Sequence, residues 1–100
     1  MSEKLPPIHP GEVLTEEFLA PLGMNPRQLA QVLKVPPNRI NQVVNRQRAV
    51  TADTARRLGR YFGTGPEFWM NLQMRYELET LEDRCGHQID TEVVPRQVTA

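Results

Sequence analysis

The stretch PRQLAQVLKVPPNRINQVVN, residues 26–45, contains two apolar patterns of helical spacing that are separated by a short turn. The first pattern consists of Leu29, Ala30, Val32 and Leu33, and the second of Ile40, Val43 and Val44. Each helix begins at a proline, where the missing N–H costs nothing because the first four helical N–H groups are unpaired. The stretch therefore predicts a helix-turn-helix in which Ala30 lets the second helix cross and Val35 anchors the turn.

Three further helices complete an all-α chain. Residues from His9 to Pro21 predict a first helix, with proline at its first position and Gly23 at its end. The stretch Thr51–Phe62 predicts the fourth helix, which Thr51 caps. Thr64–Glu67 has the pattern of a capping box and should start a fifth helix that ends near Glu82. The sequence thus predicts five helices around one core.

The length of 100 residues suits a single domain with short ends. We expect a mobile arm over residues 1–8, one folded domain over residues 9–84, and a tail over residues 85–100. The sequence after Gly86 has no dominant periodicity, so the tail should be flexible or form a short strand.

Charge is strongly segregated along the chain although the net charge is zero. Between Phe18 and Pro66 there are eight basic residues and a single acid, Asp53, which gives this segment a charge of +7. The remaining residues carry the opposite charge of −7. A polyanion would therefore be attracted to the middle of the chain and repelled by its ends, which favours nucleic acid as a partner.

The second helix of the motif carries side chains that suit DNA recognition. Asparagine and glutamine can donate and accept together, which matches the adenine edge in the major groove, and arginine can contact phosphate or guanine. Asn38, Asn41 and Gln42 are the best candidates for reading bases. The predicted DNA-binding residues are Gln28, Pro37, Asn38, Arg39, Asn41, Gln42, Asn45, Arg46 and Arg48. The alternative is a polar face that meets only solvent.

Nothing in the sequence indicates an enzyme, a metal site or a membrane protein. His9 and His87 have no cysteine or acid at metal-ligand spacing, and His9 is better explained as a helix cap. No recognisable motif places a base beside Cys85. We expect no cofactor, no metal and no small-molecule substrate. A cytoplasmic location is expected because no apolar run reaches the ~18–20 residues of a membrane span.

Three strings resemble the HigA family of antitoxins, within the lambda-repressor-like (XRE) helix-turn-helix group. They are IHPGEVLTEEFLAPLGM at residues 8–24, LAQVLKV at residues 29–35, and AVTADTARRLGRYFGTGPEFWMNLQMRYEL at residues 49–78. The resemblance covers residues 8–82. It implies a five-helix, lambda-repressor-like DNA-binding domain that forms a homodimer, binds an inverted repeat in double-stranded DNA and represses its own operon. It also implies a HigB-like partner, a RelE-like toxin that cleaves mRNA on the ribosome.

Two groups of residues outside the motif acquire expected roles. A core or dimer position is expected for Phe68, Trp69, Leu72 and Tyr76 of the fifth helix. A two-fold dimer would place two recognition helices one DNA turn, ~34 Å, apart. The resemblance implies that the toxin docks away from the reading helix, and the basic surface of an RNA-cleaving toxin would complement acidic side chains. The expected toxin contacts are Glu12, Glu16 and Glu17.

The sequence departs from the family pattern at two turns. Lys34 stands where the wider group favours glycine, so the turn must accept a side chain or be strained. The string NRQR at residues 45–48 replaces the usual NGKR, which puts Arg46 at the glycine position, and Asn45 could take the left-handed conformation instead. Two other functions stay open: a stand-alone regulator without a toxin, and an interaction module whose basic face binds an acidic protein.

Overall fold

The computed structural model describes residues 5–97, which form five helices and no strand in that range. Helix α1 consists of an α-helical turn, Pro10–Val13, a π-helical segment, Leu14–Leu19, and a last α-helical turn, Ala20–Leu22. The other helices are α2, Pro26–Leu33; α3, Pro37–Val44; α4, Ala52–Phe62; and α5, Pro66–Glu92. The predicted all-α fold is confirmed. Of the predicted arm and tail, residues 1–4 and 98–100 lie outside the described residues.

The π-helical segment lets α1 continue through Pro21. In a regular α-helix the proline ring would crowd the carbonyl of Glu17, four residues earlier, and proline has no N–H to donate. The wider turn is closed by a hydrogen bond from the backbone N–H of Ala20 to the carbonyl of Thr15. The helix then ends at Gly23, which adopts the left-handed conformation.

One apolar core lies between the helices. Its buried apolar residues are Leu14, Leu19, Leu29, Ala30, Leu33, Ile40, Val43, Val50, Ala55, Leu58 and Trp69. Val32, which the apolar spacing placed on the buried side of α2, is 44% exposed, and the apolar side chains of Leu78 and Leu81 on α5 are exposed as well. Helices α2 and α5 bury only one side, and the spacing of apolar residues does not define how wide the buried side is.

The start of α5 is built differently from the predicted capping box. Gly65 is the N-cap residue and makes no side-chain hydrogen bond to the helix. Thr64 instead accepts a hydrogen bond from the indole Nε1 of Trp69 at 2.9 Å and donates one to the carbonyl of Gly65 at 2.9 Å. The buried tryptophan therefore takes the hydroxyl that the cap would have used, and the capping-box prediction is wrong.

Helix α5 runs to Glu92, well past its predicted end near Glu82. Its backbone is non-helical at Cys85, with φ −146° and ψ 18°, so two helical segments meet there. The second segment contains exposed side-chain hydrogen bonds between residues four positions apart, such as that from Gln88 Nε2 to Glu92 Oε2 at 3.2 Å. The prediction of a flexible or strand-like tail is therefore wrong for residues 86–92. Apolar periodicity could not reveal this helix because most of its side chains face solvent.

Helices α1, α2 and α3 end in the same turn geometry, but only α1 ends at a glycine. Gly23, Lys34 and Arg46 follow these helices, and each has φ 61°. In each turn two backbone N–H groups bond back to carbonyls of the last helical turn, as from Val35 to Ala30 at 3.1 Å. A left-handed residue other than glycine costs about 1–2 kcal/mol. Lys34 and Arg46 therefore carry backbone strain.

Asn45 does not take the left-handed conformation that the sequence would allow it. Asn45 has φ −90° and ψ 10°, and its N–H still bonds to the carbonyl of Asn41 at 3.0 Å as part of the last helical turn. The chain therefore reverses one residue later, at Arg46, which has φ 61°.

Helix α1 packs against the end of α3 at Gly11. A Cβ atom on this residue would lie 2.0 Å from the carbonyl oxygen of Val43, so only glycine fits. His9, two residues before Gly11, is buried. It caps the helix through its Nδ1, which accepts the N–H of Gly11 at 2.9 Å. Its ring also packs edge-on against Tyr76 of α5, with centroids 4.8 Å apart. The predicted capping role of His9 is confirmed.

The His9 cap should make stability depend on pH. Burial lowers the pKa of His9 below its ordinary value, and the Arg46 guanidinium lowers it further against an opposing effect of Glu12. The cap's contribution is therefore fully present above the unfolded pKa of about 6.5 and is lost as the pH falls toward the folded pKa. As the pH falls, the free energy of unfolding of the wild type should therefore decrease more than that of a His9→Asn variant. Asparagine keeps a capping oxygen but does not titrate.

Urea unfolding of the two proteins between about pH 7.5 and about pH 5.5 measures this difference. The comparison removes the effect of the carboxylates, which titrate in both proteins. A constant difference across the range would contradict the predicted role of the imidazole.

Candidate nucleic-acid interface

Helix α3 exposes a polar face opposite its apolar strip. Ile40 and Val43 are fully buried, and Val44 is half-buried against the core. The exposed residues on the other side are Pro37, Asn38, Asn41 and Asn45, and Gln42 is half-buried at the edge of this face. The helix-turn-helix predicted for residues 26–45 is confirmed, and α3 presents amides without a carboxylate.

Gln28 lies on the exposed first turn of α2, where it forms part of a capping box. Its Oε1 accepts the N–H of Asn25 at 2.9 Å, and its own N–H donates to Oδ1 of Asn25 at 2.8 Å. The side-chain oxygen of Gln28 is thus used within the protein. Its amide NH2 group remains as the part that can donate to an anion.

Asp53 connects the reading helix to α4. The Arg39 guanidinium pairs with its Oδ2, and Arg57 Nε donates to the same oxygen at 2.9 Å. These hydrogen bonds, that from Arg39 first, hold the pKa of the Asp53 carboxyl below its ordinary value. Arg57 also donates through Nη1 to the carbonyl of Leu33 at 2.9 Å. The network joins α3, α4 and the end of α2, and it orients Arg39 at the edge of the polar face.

The loop after α3 carries two exposed arginines, Arg46 and Arg48. The Arg46 guanidinium pairs with Glu12 of α1, whereas Arg48 makes no ion pair within residues 5–97. The end of this loop is fixed by Gln73 of α5, which is buried and accepts the N–H of Val50 at 2.8 Å. Both flanks of the loop are therefore held by other helices.

The basic segment keeps most of its charge in the folded protein. Three of its eight bases, Arg39, Arg46 and Arg57, share only two carboxylates. The bases without an ion pair among residues 5–97 are Arg27, Lys34, Arg48, Arg56 and Arg60. The field around α3 remains positive, which attracts a polyanion.

The aromatic and apolar residues expected in the core or at a dimer interface have different environments. Trp69 is fully buried, which leaves it no surface for a partner subunit, and Leu72 is half-buried against the core. Tyr76 packs against the His9 ring. Phe68 is 39% exposed. Of these four residues, Phe68 and the accessible parts of Leu72 and Tyr76 could reach a second copy.

The three expected toxin contacts on α1 differ in exposure and in ion pairing. Glu16 and Glu17 are exposed on the π-helical segment. Glu12 is half-buried, and its carboxylate is used by Arg46. The first two can meet a partner directly, whereas Glu12 already has a cationic neighbour.

Three residues that position the interface were missed by the sequence prediction: Gly11, Asp53 and Gln73. Asp53 is the only acid between Phe18 and Pro66, which is a signal that could have found it. Gln73 lies four residues after Trp69, so it is a polar residue on an apolar helix face. A glycine inside a first helical turn, as at Gly11, is costly and often marks a close approach.

Comparisons with known proteins agree with this geometry. Residues 16–69 match the helix-turn-helix family. Virulence-associated protein I of Dichelobacter nodosus is 51% identical over 79 residues, which cover 79% of this chain and 73% of that protein. The Pseudomonas aeruginosa antitoxin HigA, solved with the higBA promoter, has a TM-score of 0.88 and 48% identity over 91% of this chain and 99% of that one.

A further solved structure is an addiction module antidote protein of the HigA family from Coxiella burnetii. It has a TM-score of 0.87 and 46% identity over 92% of this chain and all of that one. The family match spans more than half of the chain, and these identities extend over nearly the whole fold. The chain therefore belongs to the helix-turn-helix family that includes virulence-associated protein I and the HigA antitoxins.

Proposed function

We propose that this chain is the antitoxin of a type II toxin–antitoxin module. As a homodimer it binds an inverted-repeat operator in double-stranded DNA, represses its own operon and neutralises a HigB-like toxin that cleaves mRNA. A protein with these targets acts in the cytoplasm. No helix between residues 5 and 97 has the length and apolar character that a membrane span requires.

One observation carries the DNA-binding part: α3 presents an exposed amide-rich face without carboxylates inside a segment of charge +7. Carboxylates on such a face would repel phosphate, whereas amides bind base edges through paired donors and acceptors. The relative from Pseudomonas aeruginosa, which shares 48% identity, was solved with promoter DNA. These facts favour double-stranded DNA over an acidic protein as the ligand of this face.

Individual roles follow from exposure and chemistry. Asn38, Asn41 and Gln42 read base edges in the major groove. Pro37 and Asn45 contact the DNA at the two ends of α3. Phosphate contacts come from the charged or donor groups around the helix. These are Gln28, Arg39, Arg46 and Arg48.

The homodimer supplies the second reading helix that an inverted repeat requires. On α5 a row of exposed apolar side chains repeats every three or four residues and so follows one side of the helix. It consists of Met70, Met74, Leu78 and Leu81. A continuous apolar face of this kind marks an interaction surface, and it is better exposed than the buried Trp69. We therefore assign the dimer contact to this row.

The toxin contact lies on α1, where Glu16 and Glu17 are exposed. A toxin that binds RNA has a basic surface, and acidic side chains on the antitoxin complement it. This face belongs to a different helix from the reading face. The two partners can therefore bind the same protomer on separate helices.

Alanine substitutions on α3 test base reading. We expect Asn41→Ala and Gln42→Ala each to cost about 1–3 kcal/mol in affinity for the operator and to leave binding to unrelated DNA nearly unchanged. Arg48→Ala should weaken binding to both DNAs alike and reduce the salt dependence by about one phosphate contact. Fluorescence anisotropy on a fragment of the chain's own promoter and on a scrambled duplex measures both quantities.

The matched control is Gln31→Ala, which removes an exposed amide from α2 rather than α3. It should bind both DNAs like the wild type. Equal operator affinity of wild type, Asn41→Ala and Gln42→Ala would exclude direct base reading by α3, and a footprint without a protected inverted repeat would exclude the operator.

A charge placed in the apolar row of α5 tests the dimer. Leu78→Glu with Leu81→Glu should give a monomer, because two carboxylates cannot be buried in an apolar interface without a large desolvation cost. Analytical ultracentrifugation measures the mass. The control is Leu22→Glu on α1, since Leu22 is 60% exposed, the same fraction as Leu78, and should leave the dimer intact. A dimer that survives the double substitution would remove the row from the interface.

The toxin prediction concerns the neighbouring reading frame. Co-expression of the wild type with an adjacent small basic RelE-like protein should restore growth and yield a co-purifying complex. Glu16→Lys with Glu17→Lys should weaken capture through like-charge repulsion, whereas Glu79→Lys on α5 should not. A chain that binds its operator but neither captures nor neutralises such a neighbour would be a stand-alone regulator.

A further inference from the structure

Glu12 lies where α1 meets the loop after the reading helix. Its carboxylate Oε1 accepts a hydrogen bond from Nη2 of Arg46, and its backbone N–H donates to the carbonyl of His9 at 2.9 Å. The Glu12 side chain is 32% exposed, whereas that of Arg46 is 58% exposed. The carboxylate is therefore held in the fold, while the guanidinium remains accessible to another anion.

The backbone at Arg46 is fixed, so its guanidinium can change partners only through side-chain rotation. Its N–H bonds to the carbonyl of Val43 at 3.1 Å, and the next residue, Gln47, bonds to the carbonyl of Gln42 at 2.8 Å. The side chain thus starts one residue beyond the last turn of α3, beside the face proposed to read DNA. An arginine at this position can donate hydrogen bonds to a DNA phosphate near the end of α3.

A carboxylate and a phosphate use the same N–H donors of a guanidinium. Glu12 already occupies the Nη2 donor of Arg46 and holds the guanidinium toward α1, and its charge repels a phosphate that approaches the remaining donors. We propose that Glu12 competes with DNA phosphate for Arg46 and thereby lowers the affinity for DNA of any sequence. The inference rests on the proposed DNA-binding function and deepens it. Glu12 acts as a positioning residue because it works through Arg46 and does not itself touch DNA.

The chain offers a matched control on the same helix. Glu16 carries the same charge on α1, is exposed and makes no ion pair within residues 5–97. Glu12→Gln and Glu16→Gln change the net charge equally, but only the first removes an anion from Arg46. A second pair of variants isolates the contact itself: Glu12→Asp keeps the charge and shortens its reach, and Arg46→Gly removes the guanidinium. Glycine suits the φ of 61° at this position, so the fold is retained.

The experiment measures dissociation constants of the full chain for a promoter fragment and for a scrambled duplex at several salt concentrations. Glu12→Gln should bind both DNAs about two- to fivefold more tightly per protomer, the size of an exposed ion pair. Its salt dependence should steepen by up to about 0.9, because Arg46 then neutralises phosphate without competition from Glu12. Glu12→Asp should act in the same direction, and Glu16→Gln should have a smaller effect. In the Arg46→Gly background, Glu12→Gln should add nothing beyond the change seen for Glu16→Gln.

Even when Glu12→Gln binds DNA more tightly, two results would overturn the competition between Glu12 and phosphate. One is an equal increase in affinity for Glu12→Gln and Glu16→Gln, which would indicate a long-range charge effect. The other is an increase that persists in full without the Arg46 side chain. Thermal unfolding of each variant confirms that folded proteins are compared. If the wild type itself binds neither DNA, the proposed function fails; if it binds and Glu12→Gln is unchanged, only the competition fails.

Discussion

The contact between the backbone of α1 at Gly11 and the last carbonyls of α3 is the constraint on which the interface depends. No side chain fits between Gly11 and the carbonyl oxygen of Val43, so the two helices meet backbone to backbone. This approach brings His9 and Glu12, the residues on either side of the contact, to the loop that follows the reading helix. The salt bridge from Glu12 to Arg46 thus depends on the close approach at Gly11.

The positions of the helices could be predicted from the sequence because their starts use local signals. Proline at the first position and an apolar pattern with helical spacing predicted α2 and α3, and both lie where they were expected. Helix ends were harder, since Lys34 and Arg46 adopt a conformation that glycine normally signals. Tertiary contacts compensate for that strain: Val35 packs against the core behind Lys34, and Glu12 pairs with Arg46. Such compensation has no local signature.

The charge pattern predicted the sign of the surface charge but not which charged side chains form ion pairs. Eight bases against one acid correctly indicate a positive middle segment. The sequence does not show that Asp53 holds both Arg39 and Arg57, or that Glu12 reaches Arg46 from a helix 34 positions earlier. Two of the arginines proposed for phosphate contact therefore begin with an internal carboxylate. Their availability to DNA depends on which anion holds them more tightly, which composition alone cannot give.

The two internal carboxylates have different consequences because they lie on different helices. Asp53 belongs to α4 and also holds Arg57, which in turn holds the end of α2, so its network links both helices of the helix-turn-helix to α4. Glu12 belongs to α1, the helix that carries the exposed Glu16 and Glu17. If Glu12 and phosphate compete for Arg46, a cationic partner that takes up Glu12 leaves Arg46 free for DNA. By linkage, DNA that takes up Arg46 leaves Glu12 free for that partner, so the two ligands of separate helices support each other's binding.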